Sequence, residues 1–343
     1  MIGAAASRRL RAALLTSVMA AVMAAAGSAL AQDPRKEGLD KFLNMDGKDV
    51  ETKLAVIQHE LYKAEVSSTL VLFNQLHGSR VRTERVEFPS GLELIPGYIF
   101  SPQNMDRGRP HPALVLVHGG FHDRFEPYFF KLVDALVSKG YVVMFPEYRG
   151  SSGYGETHYR NSYGDTDVTD TLASADFIGR QPYVDPARLG IVGHSRGGMV
   201  TVLAIERAPK KFKVAVEIAG LVDFLAYMSY KPEYRRQEVA NEPQFKGQTP
   251  DRNLAAYMRV SPINFVKDIE TPILVLANTF DGTVPLELHS GRLIELLKAH
   301  NKVHESYIYK DAPGGHMFPY GDTDEGRDVQ RRIIEWTAKY LKP

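Results

Sequence analysis

Short apolar runs alternate with longer stretches in which apolar residues recur every three or four positions, and this alternation begins near residue 113. Short continuous runs are typical of buried strands, and the longer period is typical of amphipathic helices. The predicted strands are Ala113–Val117, Tyr141–Phe145, Arg188–Val192, Val214–Ile218, Ile273–Ala277 and Ser306–Tyr309. The predicted helices are Phe125–Ser138, Thr166–Gly179, Arg196–Arg207, Pro285–His300 and Gly326–Leu341. This alternation predicts an α/β protein with a mostly parallel central sheet and helices on both faces.

The segment before this alternation has a different pattern. Val81–Phe88 and Leu92–Phe100 are predicted to be two strands joined by a turn, and they open the main domain, residues 81–343. Upstream, residues 32–80 form a polar extension, within which Asp49–Leu76 has the apolar spacing of one or two helices. This helical extension either covers an edge of the main domain or forms a lid over its site.

A second departure lies between the strands that end at Ile218 and begin at Ile273. The two are separated by too many residues for a simple crossover. Residues 221–262 are rich in Tyr, Met and Arg, and we expect them to form a small insertion above the carboxyl ends of the strands. Such an insertion would form one wall of a site at the carboxyl ends of the strands.

The first 31 residues have the pattern of a secretory signal peptide. Three arginines between residues 8 and 11 precede an apolar run, Ala12–Ala26, and Ala29-Leu30-Ala31 fits an A-x-A cleavage site. The run is short for a membrane span, and the cleavage site directly follows it, so a retained membrane anchor is the weaker interpretation. The sequence therefore predicts an exported protein, periplasmic or secreted.

Cleavage after Ala31 would remove three arginines and no acid, leaving 39 basic and 41 acidic residues. This near balance gives no reason to expect a nucleic acid or an anionic membrane as a partner. The chain contains no cysteine, so disulfides are excluded and the exported protein must be stabilised by its core alone.

A candidate nucleophile lies between a predicted strand and the helix that follows it. Gly193-His194-Ser195-Arg196-Gly197 matches G-x-S-x-G, the turn that projects a serine hydroxyl from the top of a sheet. The flanking glycines are needed because strand and helix approach closely at this turn. A structural turn serine is the alternative, but the strand–turn–helix context favours Ser195 as a nucleophile.

A serine hydroxyl becomes nucleophilic when a base removes its proton, and an acid must orient that base. Where a serine nucleophile occupies such a strand–turn–helix motif, the catalytic residues follow one another along the chain in the order serine, acid, histidine. Asp281 follows the strand Ile273–Ala277, and His316 follows the strand Ser306–Tyr309. Because the carboxyl ends of parallel strands share one edge of a sheet, both should lie near Ser195. Asp223, which follows another strand, is the rival acid.

Acyl transfer also needs backbone N–H groups directed at the developing oxyanion. We expect one from Arg196, the residue after the nucleophile. The other should come from the loop His118-Gly119-Gly120-Phe121, with Gly120 the first choice and Gly119 the second.

Two other features near these motifs have open interpretations. The loop from Tyr148 to Gly155 is either a turn-rich connection or a surface that presents Tyr148 and Tyr154 to the substrate. His118 and His122 are four residues apart, but they lie in a loop and lack an H-E-x-x-H motif, so we expect no metal and no other cofactor.

Taken in order, these motifs resemble the catalytic domain of the prolyl oligopeptidase family of serine peptidases. The resemblance covers roughly residues 85–341. Its matching segments are His118–Gly120, Tyr148–Gly155, Gly193–Gly198, Asp281–Pro285 and Gly315–His316. It implies an α/β-hydrolase fold with Ser195, Asp281 and His316 as the catalytic triad. Members of the family commonly carry a β-propeller, and residues 32–80 are too few to form one.

The leading prediction is an exported serine hydrolase of prolyl oligopeptidase type that cleaves small peptides or esters through an acyl-enzyme. A carboxylesterase of small acyl esters is the alternative, because ester and amide cleavage use the same catalytic groups. A non-catalytic binding protein on a hydrolase scaffold is a third possibility, which the intact motifs disfavour. The expected partner is a small peptide or ester, and the oligomeric state stays open.

Overall fold

In the computed structural model, the first helix among the described residues, α1, spans Val50–His77 as one continuous element. The structure describes residues 50–160 and 163–343, so the predicted signal peptide lies outside the described residues. The chain divides into two units, residues 1–61 and 62–343. Within the second unit, Phe73 of α1 is fully buried among aromatic rings of the domain, with ring centroids 5.0 Å from Phe100 and 5.0 Å from Phe130.

One mixed sheet organises the second unit. In the described residues it has eight strands in the order β1-β2-β4-β3-β5-β6-β7-β8. Their bounds are β1 Val81–Ser90, β2 Glu93–Pro102, β3 His111–Val117, β4 Val142–Pro146, β5 Val184–His194, β6 Val214–Ile218, β7 Ile273–Asn278 and β8 His304–Tyr309. The β1–β2 and β2–β4 pairs are antiparallel, and the pairs from β4 through β3 to β8 are parallel. The predicted mostly parallel sheet is confirmed.

Helices cover both faces of the sheet. The helices that follow α1 among the described residues are α2 Phe130–Ser138, α3 Glu156–Tyr159, α4 Thr166–Gly179, α5 Arg196–Arg207, α6 Phe224–Tyr230, α7 Glu233–Ala240, α8 Leu254–Arg259, α9 Ser290–Ala299 and α10 Asp324–Leu341, of which α2, α4, α5, α9 and α10 pack on the faces. Successive residues of β3 point to opposite faces, so Val115 packs in the core with α4, α5 and α9, while Leu114 packs in the core with α2 and α10. This two-sided burial explains why the central strands are continuously apolar.

Several predicted boundaries shift by a few residues. β5 begins at Val184 rather than Arg188, because Val184 pairs with His111 although the residues that follow it are polar. The helix expected from Pro285 starts as a 3₁₀ turn, Leu286–Leu288, and becomes α-helical only at Ser290. The helix expected from Phe125 likewise begins with a 3₁₀ turn at Pro127, and α2 starts at Phe130.

The predicted insertion, residues 221–262, contains α6, α7 and α8. Asp223 caps α6 by accepting the backbone N–H groups of Leu225 and Ala226, at 2.9 and 3.0 Å. From the end of this helix, the Tyr230 hydroxyl donates to the Thr283 carbonyl, 3.2 Å away, in the loop that follows β7. The insertion therefore lies against the carboxyl edge of the sheet, as expected. Within the ranges that the structure describes, no helix has the length and apolar character of a membrane span.

Candidate active site

Ser195 occupies a strained turn between β5 and α5. Its backbone has φ 59° and ψ −123°, a conformation that a non-glycine residue adopts only under constraint. Its N–H donates to the Ile218 carbonyl at 2.9 Å, which anchors the turn to the end of β6. A Cβ on Gly193 would overlap the carbonyl group of Gly197, and a Cβ on Gly197 would overlap that of Val117. These contacts give the physical reason for both glycines and leave the serine side chain free of the backbone.

Ser195, His316 and Asp281 form one chain of hydrogen bonds. Ser195 Oγ lies 2.8 Å from His316 Nε2, and His316 Nδ1 lies 2.6 Å from Asp281 Oδ2. An ionised carboxylate only accepts, so Nδ1 carries the proton and Nε2 presents its lone pair to the serine hydroxyl. The side chain of Asp281 is 1% exposed and that of His316 is 13% exposed. This is the arrangement that removal of the serine proton requires.

The loop after β7 holds the Asp281 carboxylate in place. Its Oδ1 accepts the backbone N–H groups of Thr283 and Val284, each at 2.8 Å. Its other oxygen is thereby directed at His316. The carboxylate of the rival acid Asp223 instead caps α6 and pairs with Arg292 of α9. The geometry thus brings Asp281, and not Asp223, to the histidine.

Asn278, the last residue of β7, joins the acid loop to the histidine loop. Its side-chain amide donates to the carbonyls of Ala312 and Gly315, at 3.0 and 2.9 Å. Its side-chain oxygen accepts the N–H groups of Phe280 and Ala312. Asn278 was missed in the sequence, where an asparagine at a strand end carries only a turn signal.

The glycine loop after β3 lies against the nucleophile. A Cβ on Gly119 would lie 3.0 Å from the His194 carbonyl oxygen and 3.7 Å from Ser195 Oγ. Gly120 follows with φ +64°, in the left-handed region that favours glycine. Arg196 is the first residue of α5, directly after the nucleophile. Gly119 and Arg196 therefore border Ser195, and Gly120 is the next residue of the loop.

Tyr148 packs beneath the glycine loop. The side chain is fully buried, its ring stacks on His118 at 4.1 Å, and its hydroxyl donates to the His118 and Gly119 carbonyls at 3.0 and 3.3 Å. Of the two interpretations left open for the loop from Tyr148 to Gly155, the packing of the Tyr148 ring favours the structural one, because the ring lies beneath the glycine loop. Tyr154 bonds the Tyr98 hydroxyl at 2.9 Å and lines two cavities of about 500 and 380 Å³, and no triad residue lines either cavity.

The guanidinium of Arg196 braces the far side of the same loop. It donates to the Phe121 carbonyl at 2.7 Å and forms a buried ion pair with Asp167 at 2.9 Å. It also lies 3.8 Å from the ring centroid of Tyr163. The side chain of Arg196 thus fixes the end of the loop, while its backbone belongs to the elbow.

His118 and His122 are engaged with protein groups. His118 Nε2 contacts Ser151 Oγ at 2.8 Å, and His122 Nδ1 donates to the Gly150 carbonyl at 2.7 Å. Burial lowers the pKa of His118 to about 3 and that of His122 to about 4. Among the residues that the structure describes, no group of three or more His, Cys, Asp and Glu side chains is arranged to hold a metal ion.

The parallel sheet and the serine elbow at the end of β5 define the class of α/β hydrolases. Residues 127–343 match the prolyl oligopeptidase family. Since this match covers more than half of the 343 residues, the chain belongs to that family, which places it among the serine hydrolases. The resemblance drawn from the motifs is confirmed.

Three proteins similar to this chain have longer chains. The chain is 26% identical over 256 residues to the uncharacterized peptidase YuxL of Bacillus subtilis (strain 168), covering 70% of this chain and 37% of that protein. It is 29% identical over 195 residues to the acylamino-acid-releasing enzyme of Arabidopsis thaliana, covering 55% and 26%. The solved acylaminoacyl peptidase of Pyrococcus horikoshii has a TM-score of 0.67 at 23% identity, covering 78% of this chain and 44% of that one. The chain spans less than half the length of each of these relatives.

Proposed function

We propose that this protein hydrolyses small peptides or esters through an acyl-enzyme formed on Ser195. The observation that carries the proposal is the hydrogen-bonded chain from Ser195 Oγ through His316 to Asp281. The names of the relatives, which include acylamino-acid-releasing and acylaminoacyl peptidases, favour peptides over simple esters as the physiological substrates.

In the proposed reaction, Ser195 Oγ attacks the scissile carbonyl carbon while His316 Nε2 accepts the hydroxyl proton. The N–H groups of Arg196 and of Gly120 or Gly119 stabilise the oxyanion that develops. His316 then returns the proton to the leaving amine or alcohol, and the acyl-enzyme remains. Water attacks this ester with the same proton transfers, which releases the acid and restores Ser195.

Replacement of the nucleophile tests this proposal. Ser195→Ala should lower kcat by about 10⁴-fold or more, because loss of one triad member disables the set. Ser138→Ala, at an exposed serine that ends α2, is the matched control and should keep wild-type activity. Rates are measured on a p-nitrophenyl ester and on an N-acyl-aminoacyl p-nitroanilide, alongside labelling by a fluorophosphonate probe.

The outcomes separate the candidate functions. Hydrolysis of the anilide supports a peptidase, and hydrolysis of the ester alone supports the carboxylesterase. A Ser195→Ala protein that retains more than a tenth of the wild-type rate would contradict the assignment. Absence of labelling and turnover in the wild type would favour a binding protein.

We also propose that the protein is exported and processed after Ala31. The supporting pattern is the basic start, the apolar run and the A-x-A site within residues 1–31. N-terminal sequencing of the protein made in a secreting bacterial host should give a chain that begins at Gln32. A chain that keeps residues 1–31 would contradict this proposal.

A further inference from the structure

His194 directly precedes the nucleophile but has no role in the proposed reaction. Its side chain is buried, and its ring centroid lies 4.6 Å from that of His316 and 5.2 Å from that of Tyr320. His194 Nε2 lies 2.9 Å from the backbone carbonyl oxygen of His316. A carbonyl oxygen only accepts, so Nε2 of His194 carries a proton and donates it.

The contacted segment, Gly315–Tyr320, is a 3₁₀ turn that carries the base. The chain enters it through Gly314 at φ 90° and Gly315 at φ 57°, a sharp reversal. Asn278 holds the start of this turn through the Gly315 carbonyl, on the side of the acid loop. The His194 bond holds the next carbonyl, on the side of the nucleophile.

We propose that His194 is a positioning residue: its Nε2–H, donated to the His316 carbonyl, ties the base to the turn that carries the nucleophile. His194 is covalently joined to Ser195, so this bond ties the backbone of the base to the residue that precedes the nucleophile. Proton transfer falls steeply as the distance between hydroxyl and base grows, so this link protects the 2.8 Å contact of Ser195 Oγ with His316 Nε2. The inference rests on the proposed function.

The charge state of His194 suits this role. Burial lowers the pKa of His194 well below its usual range, and the neighbouring His316 lowers it further. The other group packed against the ring is Tyr320, whose own burial keeps its hydroxyl protonated by raising the pKa well above its usual range. A neutral His194 can hold the backbone without placing a positive charge beside His316 when the base takes up its proton.

Three substitutions of His194 distinguish its role as a hydrogen-bond donor from the space that its ring fills. In His194→Gln, the side-chain NH₂ reaches the position of Nε2 and can donate to the His316 carbonyl. In His194→Asn, the side chain is too short to place its NH₂ there. In His194→Phe, an aromatic ring of similar size remains but has no hydrogen-bond donor. We expect kcat to fall by about 10- to 100-fold for the Phe and Asn variants, with KM changed by less than about threefold. The Gln variant should stay within about fivefold of wild-type kcat, because a hydrogen bond of similar geometry is restored.

Circular dichroism and the thermal midpoint establish that each variant is folded before its kcat is interpreted. A folded Gln variant as impaired as the Phe variant would overturn the proposal, as would a Phe variant with wild-type kcat, because the ring would then merely fill space. Failure of the proposed function is distinct, since it would appear as wild-type activity that Ser195→Ala leaves unchanged.

The wild-type protein provides a test that needs no variant to fold. ¹⁵N chemical shifts of the assigned His194 imidazole distinguish the two neutral tautomers. The proposal requires protonation at Nε2 and an unprotonated Nδ1. An Nδ1-protonated ring would overturn it.

Discussion

At the scale of single residues, Asp281 is fixed by its own loop before it meets the histidine. The N–H groups of Thr283 and Val284 occupy one carboxylate oxygen, so the other has little freedom to turn away from His316 Nδ1. The orientation of the acid therefore depends on backbone geometry, and the tautomer of His316 depends on the acid.

This dependence predicts the effect of Asp281→Asn. The asparagine oxygen would keep both backbone bonds and turn its NH₂ toward His316 Nδ1, which forces the proton onto Nε2 and removes the base. We expect kcat to fall by about 10⁴-fold with the fold intact, which is the loss known for the same change in the triad of trypsin-like serine proteases. Steady-state kinetics on the ester substrate measure this loss.

Asp223→Asn is the matched control for the rival acid. The asparagine oxygen can still cap α6, but the variant loses the ion pair with Arg292, so it should lower the thermal midpoint by at most a few degrees while kcat stays within about threefold of wild type. A large loss of kcat in Asp223→Asn together with a mild effect of Asp281→Asn would reverse the assignment of the acid.

The sequence could bring Ser195, Asp281 and His316, the residues of the proposed triad, together because each follows a readable strand, and parallel strands bring their ends to one edge. The direction of a side chain within a loop has no such signal. The sequence left open whether the loop from Tyr148 to Gly155 faces the substrate, and the ring of Tyr148 lies beneath Gly119. The carbonyl groups to which Asn278 and His194 donate are more than 30 residues away in the sequence, and only the folded chain brings them together.

At the scale of elements, the insertion is joined to the loop that holds the acid. The hydroxyl of Tyr230, at the end of α6, donates to the Thr283 carbonyl at 3.2 Å and lies 2.9 Å from His289 Nε2. The ammonium of Lys231 donates to the same carbonyl at 2.7 Å. Because the N–H of Thr283 binds Asp281, these contacts hold the residue that orients the acid.

Tyr230→Phe tests this coupling. The variant loses one hydrogen bond, worth about 1 kcal/mol, that holds the loop carrying Asp281. The less precise position of the Asp281 carboxylate should lower kcat by about fivefold. Tyr234→Phe, the same change at an exposed tyrosine of α7, should leave kcat unchanged. Equal kcat values for the two variants would show that the insertion does not position the acid loop.

The elements themselves were predictable to different degrees. Long apolar strands such as β3 and long periodic helices such as α5 carry a strong pattern in the sequence. The helices of the insertion are six to eight residues long, too short for a period to show, so the length of the segment predicted an insertion but no helices within it. After Pro285 the chain first makes a 3₁₀ turn, so α9 begins later in the sequence than predicted.

At the scale of the whole molecule, burial on both faces of the sheet encloses acidic groups as well as apolar ones. Glu147, which follows β4, is fully buried, and its Oε1 accepts the Phe125 N–H at 2.8 Å. The pKa of Glu147 is raised to about 8, mainly because the carboxyl is removed from water; the hydrogen bond from Phe125 opposes this rise and nearby Asp123 adds to it. Burial likewise raises the pKa of Glu217 in β6 to about 7.

These shifts set the sign of the pH dependence of stability. The unfolded chain releases the Glu147 proton near the ordinary value of 4.5, whereas the folded chain keeps it until about 8. Between these limits the folded state binds more protons than the unfolded state, so the free energy of unfolding decreases as pH rises. The contribution is fully present below pH 4.5 and is lost by the time pH passes through about 8.

Glu147→Gln should remove most of this dependence. The glutamine oxygen can still accept the Phe125 N–H, and the side chain carries no proton to lose. Between pH 5 and pH 8 the wild-type free energy of unfolding should fall more than that of the variant, by an amount on the order of a few kcal/mol. Urea unfolding at the two pH values measures the difference, and Glu87→Gln, at an exposed position of β1, is the control that should follow the wild type. Parallel curves for wild type and Glu147→Gln would show that Glu147 is already ionised in the folded protein at pH 5.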